Sequence, residues 1–250
     1  RSVSRGLGDV YKRQMMGIFS QTKANSPAST EEQFRDSIFQ VVNFETNDTL
    51  RSKILRGAFQ QYIGQKAALE YLDSALVLSK RKRIHEEELY TLFDYCRHYE
   101  YRGEASEMEQ YFLKLKEAAY RYKDYSLYYT IWLGVLQIRC AQGDTEYAIM
   151  QAKEMQKEAI RIKYESGVFV SLIALAQALD FAEQYDEAIA NYKQALIVNP
   201  NANNYSLLLI HQNLGGIYLA QKKYTEALSE LKPVCYTHLR AHETLSDLVC

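Results

Sequence analysis

QYDEAIANYKQA, residues 184–195, decides the architecture. Ala188, Tyr192 and Ala195 stand at offsets of four and seven, so they share one face of a helix, and two of the three are small enough to admit a close neighbour. The same arrangement recurs without gaps in GQKAALEYLDSA (64–75), EASEMEQYFLKL (104–115), DTEYAIMQAKEM (144–155) and KYTEALSELKPV (223–234). The anchor residues are Ala68, Met108, Ala148, Ala188 and Ala227, at spacings of 40, 40, 40 and 39. Four positions on come Leu72, Phe112, Ala152, Tyr192 and Leu231; seven positions on come Ala75, Leu115, Met155 and Ala195.

Upstream of each anchor helix the pattern predicts another amphipathic helix, over 48–63, 87–102, 126–142, 167–183 and 205–221. Turn signals separate the two: Gly64-Gln65, Gly103, Gly143-Asp144 and Gln221-Lys222-Lys223. Two antiparallel helices joined by a short turn cannot bury both faces alone, so neighbouring hairpins must supply the core. Only Pro27, Pro200 and Pro233 interrupt the 250 residues, which fits helix throughout. The expected fold is all-α, an α-solenoid of about five stacked hairpins.

This pattern resembles the tetratricopeptide repeat over about 48–233. In the fourth repeat Leu175, Ala176, Tyr185, Ala188, Tyr192, Ala195 and Pro200 fall at the family's offsets. The fifth offers Leu214, Gly215, Tyr218, Tyr224, Ala227 and Leu231. The third keeps Trp132, Gly143 and Ala148 but has Leu136 and Arg139 where the family favours Gly and Tyr; the first two match mainly in their second helices. The period is 40 rather than the family's shorter one, so longer helices or longer linkers must absorb the excess. Another α-solenoid of the armadillo or HEAT kind is the alternative.

The ends read differently. One codon choice for SRGLGDVYKRQ (4–14) has a reverse complement that encodes VSYTHLRAHE in a shifted frame, and residues 234–243 read VCYTHLRAHE. Residues 1–14 and 234–250 therefore resemble translated sequencing-adapter DNA and are set outside fold reasoning. Removing them takes five of the 30 basic and three of the 31 acidic residues, leaving 25 against 28, a net charge of -3. Residues 15–29 are expected to be a signal-peptide remnant, with Thr22-Lys23-Ala24 as a loose cleavage site, or a flexible linker. Residues 30–47 are expected to be a capping helix that turns Phe34, Ile38, Phe39, Val41 and Val42 inward.

No chemistry-bearing constellation emerges. His85, His98 and His211 are scattered, and no HExxH, GxxxxGK[ST], GxGxxG or GxSxG string occurs, so a catalytic residue, metal or cofactor is not expected. The charge near zero gives no electrostatic case for nucleic acid. Lys80-Arg81-Lys82-Arg83 is read as favourable charge at a helix C-terminus ahead of Glu86-Glu87-Glu88, in preference to a docking or anionic-lipid patch. Tyr120, Tyr122, Tyr125, Tyr128 and Tyr129 are read as covering interhelix grooves with their polar tips outward. Cys96 and Cys140, one repeat and one helical turn apart, are able to pair only if the protein is exported.

The resemblance implies that first helices line a concave groove. By register this points to Tyr90, Phe93, Arg97, Tyr101, Gln137, Gln177 and Gln212 as partner-binding residues. Gln137 and Gln177, 40 apart, suit a ladder of amides that holds an extended peptide backbone. Repeat packing is assigned to Ala68, Met108, Ala148, Ala188, Ala227, Tyr192, Leu214, Gly215 and Tyr218. The expected function is a non-catalytic protein-interaction scaffold. One specific form is the extracytoplasmic sensor of a larger membrane-bound signalling protein, touching the membrane only through regions beyond this chain; the alternative is a cytoplasmic regulator or assembly factor.

Overall fold

The computed structural model describes residues 27–232. The adapter-like ends and most of the signal-remnant segment therefore lie outside the described residues. Every regular element within them is an α-helix: α1 (Pro27–Phe44), α2 (Asp48–Gln61), α3 (Ala68–Lys82), α4 (His85–Arg102) and α5 (Ala105–Tyr122). Then come α6 (Ser126–Ala141), α7 (Thr145–Arg161), α8 (Glu165–Phe181), α9 (Tyr185–Val198), α10 (Asn204–Ala220) and α11, residues 224–232. None of the described helices is long and apolar enough to cross a membrane. The chain forms two compact units, Arg1–Lys114 and Leu115–Cys250, divided within α5.

Packing is sequential in both units. In the first, α1 packs on α2, α2 on both α3 and α4, and α3 on α4. In the second, α6 packs on α7 and α8, α7 on α8, α8 on α9 and α10, and α9 on α10. Contact with the next helix and the next but one is what stacked antiparallel hairpins require. The helices α5 to α8 have 18, 16, 17 and 17 residues, so helix length rather than linker length fills the period.

The links repeat as regularly as the helices. Arg83, Gly103, Lys123, Gly143, Lys163 and Glu183 all have positive φ, between 55° and 87°, and follow one another every 20 residues. Each closes a helix by the same device, in which the amide beyond the left-handed residue returns to a carbonyl in the last turn. Ile84 N–H donates to Ser79 O at 2.9 Å, Glu104 to Tyr99 at 3.0 Å, Asp144 to Arg139 at 2.9 Å, Tyr164 to Ala159 at 2.9 Å and Gln184 to Leu179 at 2.8 Å. No such closure follows α9, where Asn199-Pro200 breaks the helix and Asn203 restarts the chain by accepting from the Ser206 amide at 2.9 Å.

The capping helix begins at Pro27 and ends at Phe44, three residues earlier at each end than the pattern predicts. Proline suits a first turn because the amide it lacks would have no helical partner there. Phe34, Ile38 and Val42 join Leu55, Ala58, Phe59, Tyr71, Leu72 and Ala75 in the core of the first unit, with Phe39 and Val41 at its edge. The anchors Ala68, Met108, Ala148, Ala188 and Ala227 are buried, as are Tyr192, Leu214, Gly215 and Tyr218. In the second unit every residue of α8 from Ser171 to Leu179 is buried, because four helices surround it. Gly167 opens that helix at a tight crossing: a Cβ there would lie 2.4 Å from the Tyr164 ring and 2.8 Å from the Tyr129 ring.

Candidate functional site

In the first unit the candidate groove residues stand on α4, beside α2. Two acids on the inner side of α4 govern this surface. Glu87 and Asp94 are seven apart, hence on one face, and both are essentially inaccessible. They stand where the next repeat has Leu127 and Gly134. Arg56 of α2 neutralises both: its Nε donates to Asp94 at 2.7 Å and its Nη1 to Glu87 at 3.3 Å. Gln60 adds a bond to Asp94 at 3.0 Å, and Lys53 lies 3.8 Å from Glu87. Burial raises the Asp94 pKa, opposed by Arg56, Arg97 and Gln60.

Tyr90 and Tyr101 are therefore partly committed to the protein itself. The Arg56 guanidinium lies 4.6 Å from the centre of the Tyr90 ring. Tyr101 is exposed, yet a Cβ on Gly64 would come within 2.3 Å of its ring, so the ring lies over that glycine. The turn at Gly64 is held twice more by α4. Its amide donates to His98 Nδ1 at 3.3 Å, and its carbonyl accepts from Arg102 at 2.9 Å. Phe93 is half-buried and Arg97 exposed. This network was missed because charged residues read as solvent-facing, although Glu87 and Asp94 hold positions that are apolar or small one repeat later.

The second unit offers a different surface. Gln137 of α6 donates through Nε2 to Gln177 Oε1 of α8 at 2.9 Å. The spacing of 40 thus becomes a rung between adjacent first helices. Gln137 is exposed and Gln177 is 9% exposed. The bond leaves Gln137 Oε1 to accept and Gln177 Nε2 to donate. Gln212 does not extend the rung: counted by the last spacing of 39 it stands in register with Ile173, one turn away. The register position is Gly216, exposed and with nothing within 4 Å of where a Cβ would stand. At its neighbour Gly215 a Cβ would lie 2.6 Å from the Leu231 side chain, so Gly215 is a packing glycine and the two adjacent glycines do different work.

Charge is nearly absent from this surface. Arg139 is the only ionic residue of α6, Glu165 and Asp180 the only ones of α8, and α10 has none besides His211. Arg139, Glu165 and Asp180 stand near helix ends. His211 is paired, with Nδ1 2.7 Å from Glu230. Asn213 donates to the Tyr192 hydroxyl at 2.8 Å.

Two of the five clustered tyrosines do not turn their tips outward, while Tyr120, Tyr122 and Tyr125 are half-buried. Tyr128 and Tyr129 are buried, tilted against Trp132 with ring centres 5.3 and 5.9 Å away, and Tyr129 donates to the Met155 carbonyl at 3.4 Å. Lys116 closes the group, 3.1 Å from Glu158 and 5.5 to 5.9 Å from the Tyr128, Trp132 and Tyr120 rings. Cys96 and Cys140 are both buried free thiols; burial pushes the Cys96 pKa up to about 12, so it stays protonated at neutral pH. Among the described residues no group of three or more His, Cys, Asp or Glu could hold a metal ion.

No protein-family profile matches this chain, and a search of curated proteins finds no relative.

Proposed function

We propose that the chain is a non-catalytic protein-interaction scaffold of tetratricopeptide-like hairpins, and that its second unit holds an uncharged, extended peptide segment across α6 and α8. The observation that supports this most directly is the Gln137–Gln177 rung. It presents one free acceptor and one free donor on a surface with almost no charge, the pairing an extended backbone requires. A charged segment would be desolvated there without a counter-charge, which is unfavourable. The open position at Gly216 leaves room for a side chain of the bound peptide.

The test is selection from a displayed library of random peptides on the whole chain. Recovered peptides should have uncharged centres, and Gln137→Ala/Gln177→Ala should bind them at least tenfold more weakly at an unchanged Tm. N-methylation of the central peptide amides should weaken binding similarly. Binding untouched by the double substitution, or recovery of mainly charged peptides, rejects this surface. Action outside the cytoplasm is the further part of the proposal. Fusing the gene's own upstream region to an export reporter tests it, and no exported reporter sinks it.

A further inference from the structure

A second surface in the first unit has features that the peptide reading does not use. A cleft of about 380 Å³ opens between α1, α2 and α3. Phe39 and Val42 of α1, Leu55 of α2 and Val77 of α3 give it an apolar lining, and Arg51 and Arg81 line it too. The volume is within the range of small-molecule sites. Val77 is 64% exposed, so apolar surface is open to an occupant of the cleft.

The charges are unevenly satisfied. Arg51 donates through Nη1 to Asp48 at 3.0 Å, but its Nε is buried and has no hydrogen-bond partner. A buried donor without an acceptor is unfavourable, so a turn of the Arg51 side chain that brings Nε to an acceptor is favoured. Lys82 is taken by Asp48 at 2.9 Å, whereas Arg81, on the same helix end, has no ion-pair partner among the described residues. Asp73 also lines the cleft, and its carboxylate accepts the Tyr95 hydroxyl, which binds it without cancelling its charge. The basic run at 80–83 thus does more than complement the end of α3: one of its cations, Arg81, lines the cleft without an ion pair among the described residues.

The geometry points to a binding site for a small amphipathic monocarboxylate, its apolar tail on Phe39, Val42, Leu55 and Val77 and its carboxylate between Arg51 and Arg81. Turned into the cleft, the guanidinium edge of Arg51 formed by Nε and Nη2 would suit the two oxygens of a carboxylate. Burying the tail would favour binding in proportion to the apolar surface removed from water.

Octanoate is the probe, titrated calorimetrically into the whole chain. Saturable one-to-one binding is expected, at least tenfold tighter than acetate, which lacks the tail, and than octanol, which lacks the charge. Val77→Asp, at an exposed position that leaves folding intact, and Arg81→Glu should each weaken octanoate at least tenfold while circular-dichroism melting stays unchanged. Arg51→Met should do the same, with Tm recorded alongside. No saturable binding, equal affinity for octanol, or octanoate binding unaffected by Val77→Asp and Arg81→Glu would overturn the site. Binding of the chain to anionic vesicles without binding of free octanoate would overturn it too, and assign the basic run to a membrane surface.

Discussion

Two glycines in similar helices should respond oppositely to the same change. Gly167→Ala improves helix propensity but drives a methyl into the Tyr164 and Tyr129 rings and against Ala159, at 2.4, 2.8 and 3.1 Å. We expect a net loss of about 1–3 kcal/mol, the usual cost of overpacking. Gly216→Ala meets open space and should gain about 0.5–1 kcal/mol. Urea denaturation of the two variants decides it; equal signs would contradict the crossing at Gly167. Gly215, assigned to packing, lies against Leu231, while its neighbour Gly216 faces open space. Residue type reveals a need for smallness, but not on which side of a helix the neighbour lies. The small anchors were readable because they repeat; Gly167 was not, because nothing matches it one repeat away.

At the scale of elements, α2 and α4 are joined by ions where α6 and α8 share an amide rung. Arg56→Met leaves Glu87 and Asp94 buried with little compensation, and should cost about 3–5 kcal/mol at neutral pH. The deficit should shrink on acidification, because burial already favours the protonated form of Asp94. A variant equally destabilised at neutral and acidic pH would show that the loss is packing rather than charge. The turn at Gly64 predicts a second pH effect. Burial lowers the His98 pKa from its ordinary 6.5, with Arg102 adding to the shift and Glu104 opposing it. The unfolded chain therefore binds the proton more readily, so this contribution to stability is intact above 6.5 and lost as pH falls through the depressed value. Protonation also turns Nδ1 from an acceptor into a donor facing the Gly64 amide. His98→Asn, whose Oδ1 can accept that bond, should flatten the dependence of Tm on pH between neutral and mildly acidic solution; an unchanged slope would remove His98 from the explanation. Periodicity located the helices themselves, with first helices observed within two residues of the predicted starts. It left open how the longer period is filled, which the lengths of α5 to α8 answer.

Across the molecule, stability should follow the number of neighbours each helix has. Within the second unit α8 touches α6, α7, α9 and α10, so its amides should be the slowest there to exchange with solvent. In the first, α1 packs on α2 and should exchange faster than α2, which meets α1, α3 and α4. Native-state hydrogen exchange followed by NMR would test this order, and uniform protection would mean each unit opens only as a whole. The repeat architecture was legible because it is written once per 40 residues. The ionic surface of the first unit and the amphipathic cleft were not, since each depends on residues from separate helices that no short motif contains. The left-handed links carry one last implication, for how such a gene can change. Arg83, Lys123 and Lys163 recur at intervals of 40 between hairpins, and Gly103, Gly143 and Glu183 do so within them. Duplication or loss of one hairpin keeps every later helix in phase, with its inward residues still inward. Duplication of a single helix and link, half that length, would exchange first and second helices throughout the rest of the array. Recombination is therefore tolerated at one class of link and punished at the other.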